Sequence, residues 1–136
     1  MIIMAVDLGK ARTGIAASDK TEYLASPAGV ITEHNRERLA DKICETAKEI
    51  KAELVVVGLP KNMDGSEGES AQNAREMASV IADKLGVEVK LWDERCTTIT
   101  AHGYLNDTNT RGKKRKAVID EVAATVILQS FLDSRR

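Results

Sequence analysis

Four consecutive aliphatic residues, Leu54-Val55-Val56-Val57, stand between two stretches whose apolar residues recur at helical spacing. So short a run, apolar on both alternating faces, fits a strand buried on both sides. Parallel strands have that character because crossover helices cover both faces of their sheet. The stretch before it puts Leu39, Ile43, Ala47 and Ile50 on one helical face, and the stretch after it does the same with Ala74, Met77, Ala78, Ile81 and Leu85. The chain must therefore fold as α/β.

The remaining elements attach to this unit. Residues 2–6 read as a buried strand, Thr13–Ser18 as a second and roughly Tyr23–Ile31 as a third, joined by short links as an antiparallel meander. Pro27 makes the third irregular or an edge strand. "GLPKNMDGSEGES", 58–70, reads as a long Gly-rich loop, with Ser66 and Glu69 at capping-box spacing before the next helix and Gly86 ending it. "VEVKLW", 87–92, alternates as a fifth strand, and helices are expected over 97–105 and 117–133. The second of these has Ile119, Val122, Ala123, Val126, Ile127 and Phe131 on one face. Between them, "NDTNTRGKKRK" reads as a polar connection. The order βββαβαβαα predicts a mixed five-stranded sheet with helices on both faces, as one domain over residues 1–136.

With 20 basic and 21 acidic residues, the chain as a whole is not a polycation, so any nucleic-acid contact must come from local clustering. Cys44 and Cys96 have neither metal-ligand nor disulfide-framework spacing. No apolar run is long enough for a membrane span, and a cytoplasmic location is expected.

Three acids draw attention. Asp7 ends the first strand, where a carboxylate has no place unless something pairs with it. Asp93 and Glu94 follow the fifth strand; they alternate in direction, so only one can face Asp7. Ligands of open α/β sheets bind at this C-terminal edge. Asp120 falls in the first turn of the expected last helix, beside Ala123 and Ala124. Converging carboxylates call for hard divalent cations, Mg²⁺ or Mn²⁺, which can activate water against a phosphodiester. Each acid also has a plainer reading: Asp7 as a turn former, Glu94 as a surface partner of Arg95, Asp120 as a complement to a helix N-terminus.

"DLGKARTGIA" (7–16), "VVVGLPKNMDGSEG" (55–68), "DERCTT" (93–98) and "KKRKAVIDEVAATVILQSFL" (113–132) resemble the YqgF/RuvX family in order and spacing along the whole chain. This family looks like a compact relative of the RuvC resolvases within the ribonuclease H-like fold. The resemblance implies a catalytic, metal-binding triad of Asp7, Glu94 and Asp120 holding Mg²⁺ or Mn²⁺. It also implies nuclease activity, directed in the family to the 5′ end of pre-16S ribosomal RNA. Cys96 stands where such proteins more often carry a larger apolar residue.

"RGKKRK" places five cations in six positions just before the Asp120 helix. Arg111, Lys113, Lys114, Arg115 and Lys116 are candidates for phosphate binding, with a solvated loop as the bland alternative. Arg95 could hold a phosphate bidentately or pair with Asp93 or Glu94. Lys61 and Asn62, in the loop after the central strand, share that sheet edge, and Gly58, Gly65 and Gly68 would let this loop approach a backbone. Lys10 and Arg12, between the first two strands, could also touch phosphate, with a solvent-exposed turn as the plainer reading. Only four aromatics are present, so recognition should rest on backbone and shape rather than base stacking.

The resemblance thus implies a nuclease of pre-16S rRNA, with the small-subunit precursor as an expected partner, the chain acting as a monomer or weak homodimer. A four-way DNA junction resolvase uses the same chemistry but needs a two-fold dimer to cut two strands. Asp7, Gly9 and Gly14 also resemble the phosphate hairpin of actin-like ATPases and sugar kinases, which close two domains where this chain has room for one. A non-catalytic RNA-binding assembly factor is the remaining alternative.

Overall fold

The structure, a computed structural model, describes residues 1–9, 12–94 and 112–135, with the backbone alone for 112–121. Its elements are β1 (Ile3–Leu8), β2 (Thr13–Ser18), β3 (Ala25–Ile31), α1 (Arg36–Ile50), β4 (Leu54–Leu59), α2 (Glu69–Leu85), β5 (Glu88–Asp93) and α3 (Gly112–Ser134). The expected helix over 97–105 lies outside the described residues.

The five strands form one sheet in the order β3-β2-β1-β4-β5. β1, β2 and β3 run antiparallel as a meander, and β1, β4 and β5 run parallel through helical crossovers. This is the α/β architecture that Leu54–Val57 demanded, with all of β4 buried.

Alternation along the strands divides the core in two. Met4 and Val6 of β1 and Val55 and Val57 of β4 meet α1 and α2 through Leu39, Ile43, Ala47, Ala74 and Ile81. Ile3, Ala5, Leu54 and Val56 face the other way, onto Ala124, Ile127, Leu128, Phe131 and Leu132 of α3. Alanines at Ala5, Ala16 and Ala124, all fully buried, let α3 lie close on the sheet. Trp92 of β5 closes this layer, its ring edge-on to Phe131 at 5.5 Å and its Nε1 donating to Ser130 Oγ at 3.2 Å.

Several expectations are corrected. β3 begins at Ala25 because Asp19 Oδ1 accepts from Tyr23 N at 2.9 Å and holds Tyr23 and Leu24 in the turn, exposed. As Pro27 required, β3 is an edge strand, and its register shifts opposite Ile15 and Ala16. Ser66 and Glu69 form no capping box. The N-cap is Gly68, and Ser66 is held by Asp64, its Oγ donating to Asp64 Oδ1 at 2.6 Å. The last helix begins at Gly112 rather than 117, so "GKKRK" is helical, not a connection. Its buried seam runs through Ala124, Ile127, Leu128, Phe131 and Leu132, while Val122, Ala123 and Val126 are half-buried. No helix among the described residues is long and apolar enough to cross a membrane.

Candidate active site at the C-terminal sheet edge

Asp7 is the penultimate residue of β1, half-buried, and pairs with Gly14 of β2. By strand alternation it shares the face of Ile3 and Ala5, beneath α3. Glu94 follows β5 directly and shares the face of Trp92, on the same side of the sheet. Asp93 falls with Val89 and Leu91, toward α1 and α2. Of the two adjacent acids, Glu94 is the one that reaches Asp7.

The two carboxyl groups are hydrogen-bonded to each other. Burial first, then the hydrogen bond to Asp7, then the negative charges of Asp7 and Asp93 push Glu94 up to about 9. At neutral pH the pair therefore holds a proton, which Glu94 donates to Asp7. β4 runs between the strands that carry them, and there the chain has Gly58, paired with Trp92. Gly58 lies inside β4 rather than in the following loop, so the loop-approach role expected of it is corrected. The spacing of Asp7 and Glu94 around it was not readable before the strand order was known.

The donor set suits a hard cation. Two carboxylates crowded enough to retain a proton gain by exchanging it for a divalent ion, and oxygen donors match Mg²⁺ or Mn²⁺. Among the described residues no group of three metal-ligating side chains forms. Asp120 lies well inside α3, one turn before Ala124, where the backbone alone is described. This corrects its expected place in a first turn, and the helix-terminus explanation of its charge goes with it.

The candidate phosphate ligands divide. Arg12 is half-buried in the β1–β2 hairpin, its carbonyl accepting from Gly9 N at 2.9 Å. Lys61 bridges Glu67 through the backbone. Asn62 N donates to Ser66 O and its Nδ2 to Ser66 Oγ, both at 2.9 Å, so Asn62 builds the loop. Arg75 clamps the same loop, donating from Nε and Nη2 to the two carboxylate oxygens of Glu67 at 2.6 and 2.7 Å. Lys113, Lys114, Arg115 and Lys116 occupy the start of α3. Lys10, Arg95, Cys96 and Arg111 lie outside the described residues.

The sequence profile of the RuvX family, described as Holliday junction resolvase, matches residues 1–134. A protein of Clostridium botulinum (strain Eklund 17B / Type B), named as a proposed pre-16S rRNA nuclease, is 39% identical over 133 residues, covering 98% of this chain and 97% of its own. Among solved structures, RuvC of T. thermophilus in complex with a Holliday junction substrate superposes with a TM-score of 0.64 at 15% identity, covering 99% and 95% of the two chains. The Fowlpox virus resolvase in complex with Holliday junction DNA gives 0.58 at 13% identity, covering 99% of each. The latter two share the ribonuclease H-like fold. By the near full-length match of sequence and profile, the chain belongs to the RuvX family.

Proposed function

We propose that this chain is a Mg²⁺- or Mn²⁺-dependent nuclease that hydrolyses phosphodiester bonds, acting in the cytoplasm on the 5′ end of pre-16S rRNA. The observation that carries the reading is the meeting of Asp7 and Glu94 at the C-terminal sheet edge, on either side of Gly58. The name of the C. botulinum relative supports the substrate.

Asp7 and Glu94 would hold the metal, with Asp120 as third ligand. Residues 120, 124 and 127 recur at the spacing of one helix face, and Ala124 and Ile127 are buried on this side of the sheet. A divalent ion held by these residues would supply an activated water and a partner for the leaving oxygen. Glu94 would release its proton to solvent on binding the ion. Arg12, Lys61, Arg95, Arg111, Lys113, Lys114, Arg115 and Lys116 would take phosphates, with Asn62 holding the loop that presents Lys61. Residues 1–136 would act as one nuclease domain, as a monomer or weak homodimer.

A second reading is cleavage of four-way DNA junctions. It is favoured by the family description and by the two junction complexes that share the fold. The test is cleavage of a pre-16S 5′-leader RNA and a four-way junction side by side with Mn²⁺, with Asp7→Asn as control. RNA cleavage lost in the variant is the expected result. Cleavage of the junction alone moves the substrate to DNA. Cleavage of neither, or equal cleavage by the variant, overturns the nuclease reading.

A further inference from the structure

Gly58 is a glycine in the interior of a central strand, where it adds chain entropy and packs nothing. Among the described glycines only Gly29, Gly65 and Gly86 have positive φ; Gly58 does not, so conformation does not require glycine there. Space does. A Cβ built on Gly58 would lie 2.9 Å from Ile127 Cδ1 and 3.0 Å from both Cγ and Cδ of Glu94. Carbon atoms in contact rest about 3.5–4.0 Å apart, so both neighbours would have to retreat by roughly half an ångström or more.

All three contacts are with side chains, none with backbone. The stem of Glu94 lies in the notch that the missing side chain leaves in β4, and from there its carboxyl reaches Asp7 on the far strand. Ile127 of α3 fills the rest of the notch.

We infer that Gly58 is a positioning residue: the notch it leaves in β4 seats Glu94 against Asp7 and fixes the geometry of the metal-binding carboxylates. The inference rests on the metal reading above, but the position of Glu94 can be measured without metal. Because the three contacts are with side chains and none with backbone, the neighbours can shift to admit a methyl, and Gly58→Ala is expected to fold. The same half-ångström matters at a site whose ligands need placement of about that accuracy.

The test is Gly58→Ala, alone and with Ile127→Val, which removes the Cδ1 methyl on the helix side. Three quantities are measured on the full chain: thermal midpoint, Mn²⁺ affinity by calorimetry, and a metal-free crystal structure. The expected result is a folded variant whose Glu94 carboxyl has turned from Asp7. Its Mn²⁺ affinity falls by about tenfold or more, as for other losses of ligand support. Ile127→Val does not restore it.

Glu94 in its original place with affinity within about twofold of the parent overturns the inference. So does full recovery of affinity on adding Ile127→Val, which would make the notch a seat for the helix alone. If Gly58→Ala does not fold, the double variant carries the test; if both fail to fold, the notch serves stability and the inference falls. A parent chain that binds no Mn²⁺ sinks the metal reading instead, and the notch is then judged on the crystallographic position of Glu94.

Discussion

Glu94 donates a hydrogen bond to Asp7 across β4, and that single proton gives the protein a predictable response to pH. Unfolded, the Glu94 carboxyl titrates near 4.5; folded, it is pushed up to about 9. Between those values the folded chain keeps a proton that the unfolded chain has released. Stability from this group is therefore complete below the lower value and falls as pH rises toward the upper one. The metal-free thermal midpoint should drop from pH 5 to pH 9. Glu94→Gln, which keeps a donor for Asp7, should flatten that slope and melt higher than the parent at pH 8. Equal slopes in the two proteins would mean that the pair does not share the proton.

A second prediction concerns the seat of α3. Gln129 Oε1 accepts from Ala25 N at 2.9 Å, while its Nε2 donates to the carbonyl of Tyr23 at 3.1 Å and to Asp133 Oδ1 at 3.0 Å. One side-chain amide thus reads two backbone groups of the edge-strand hairpin and ties them to the helix that carries Asp120. Gln129→Ala deprives the buried Ala25 amide of this acceptor. The expected cost is about 1–3 kcal/mol, read from urea denaturation. A change under about 0.5 kcal/mol would show that water replaces the amide there.

Gly9 makes the contrast with Gly58. A Cβ on Gly9 would lie 2.5 Å from the carbonyl oxygen of Arg12, the same oxygen that accepts the Gly9 N–H at 2.9 Å. Backbone cannot swing aside as a side chain does, so Gly9→Ala must open the β1–β2 hairpin just beyond Asp7. It should destabilise by about 1–3 kcal/mol, clearly more than Gly58→Ala. The urea midpoints of the two variants decide it, and the reverse order would refute the distinction.

The difference between those two glycines also marks how far the sequence could be read. The sheet was legible because Leu54–Val57 is apolar on both faces, and α1 because Leu39, Ile43 and Ala47 recur on one face and are all buried. Asp7 and Glu94 were legible because each ends an apolar or alternating strand. Gly58 was not, because its neighbours come from β5 and α3 and the contact exists only once those elements are placed. Tyr23 and Leu24 have the apolar character of a strand, but the Asp19 side chain turns the chain there, which only the structure shows. The start of α3 was missed because a run of cations looks like a solvated loop, although lysine and arginine are good helix formers.

That run yields the last prediction. α3 opens with Lys113, Lys114, Arg115 and Lys116 and has no acid in its first turn. Cations there oppose the helix dipole, at about 0.3–1 kcal/mol each when close to the end. Stability alone would have favoured acids at these positions; under the proposed function phosphate binding would offset the opposition, each neutralised phosphate releasing counterions. Replacing all four by glutamine should lower the slope of log affinity against log salt by about 3 on a single strand, at roughly 0.7 per contact. The thermal midpoint should stay level or rise, since unfavourable charges leave the helix start. Both are measured in an Asp7→Asn background that leaves the RNA uncut, by anisotropy between about 50 and 200 mM salt. A lowered slope with undiminished stability is the signature of cations kept for the substrate. An unchanged slope would return them to solvent and leave substrate binding to Arg12, Lys61, Arg95 and Arg111.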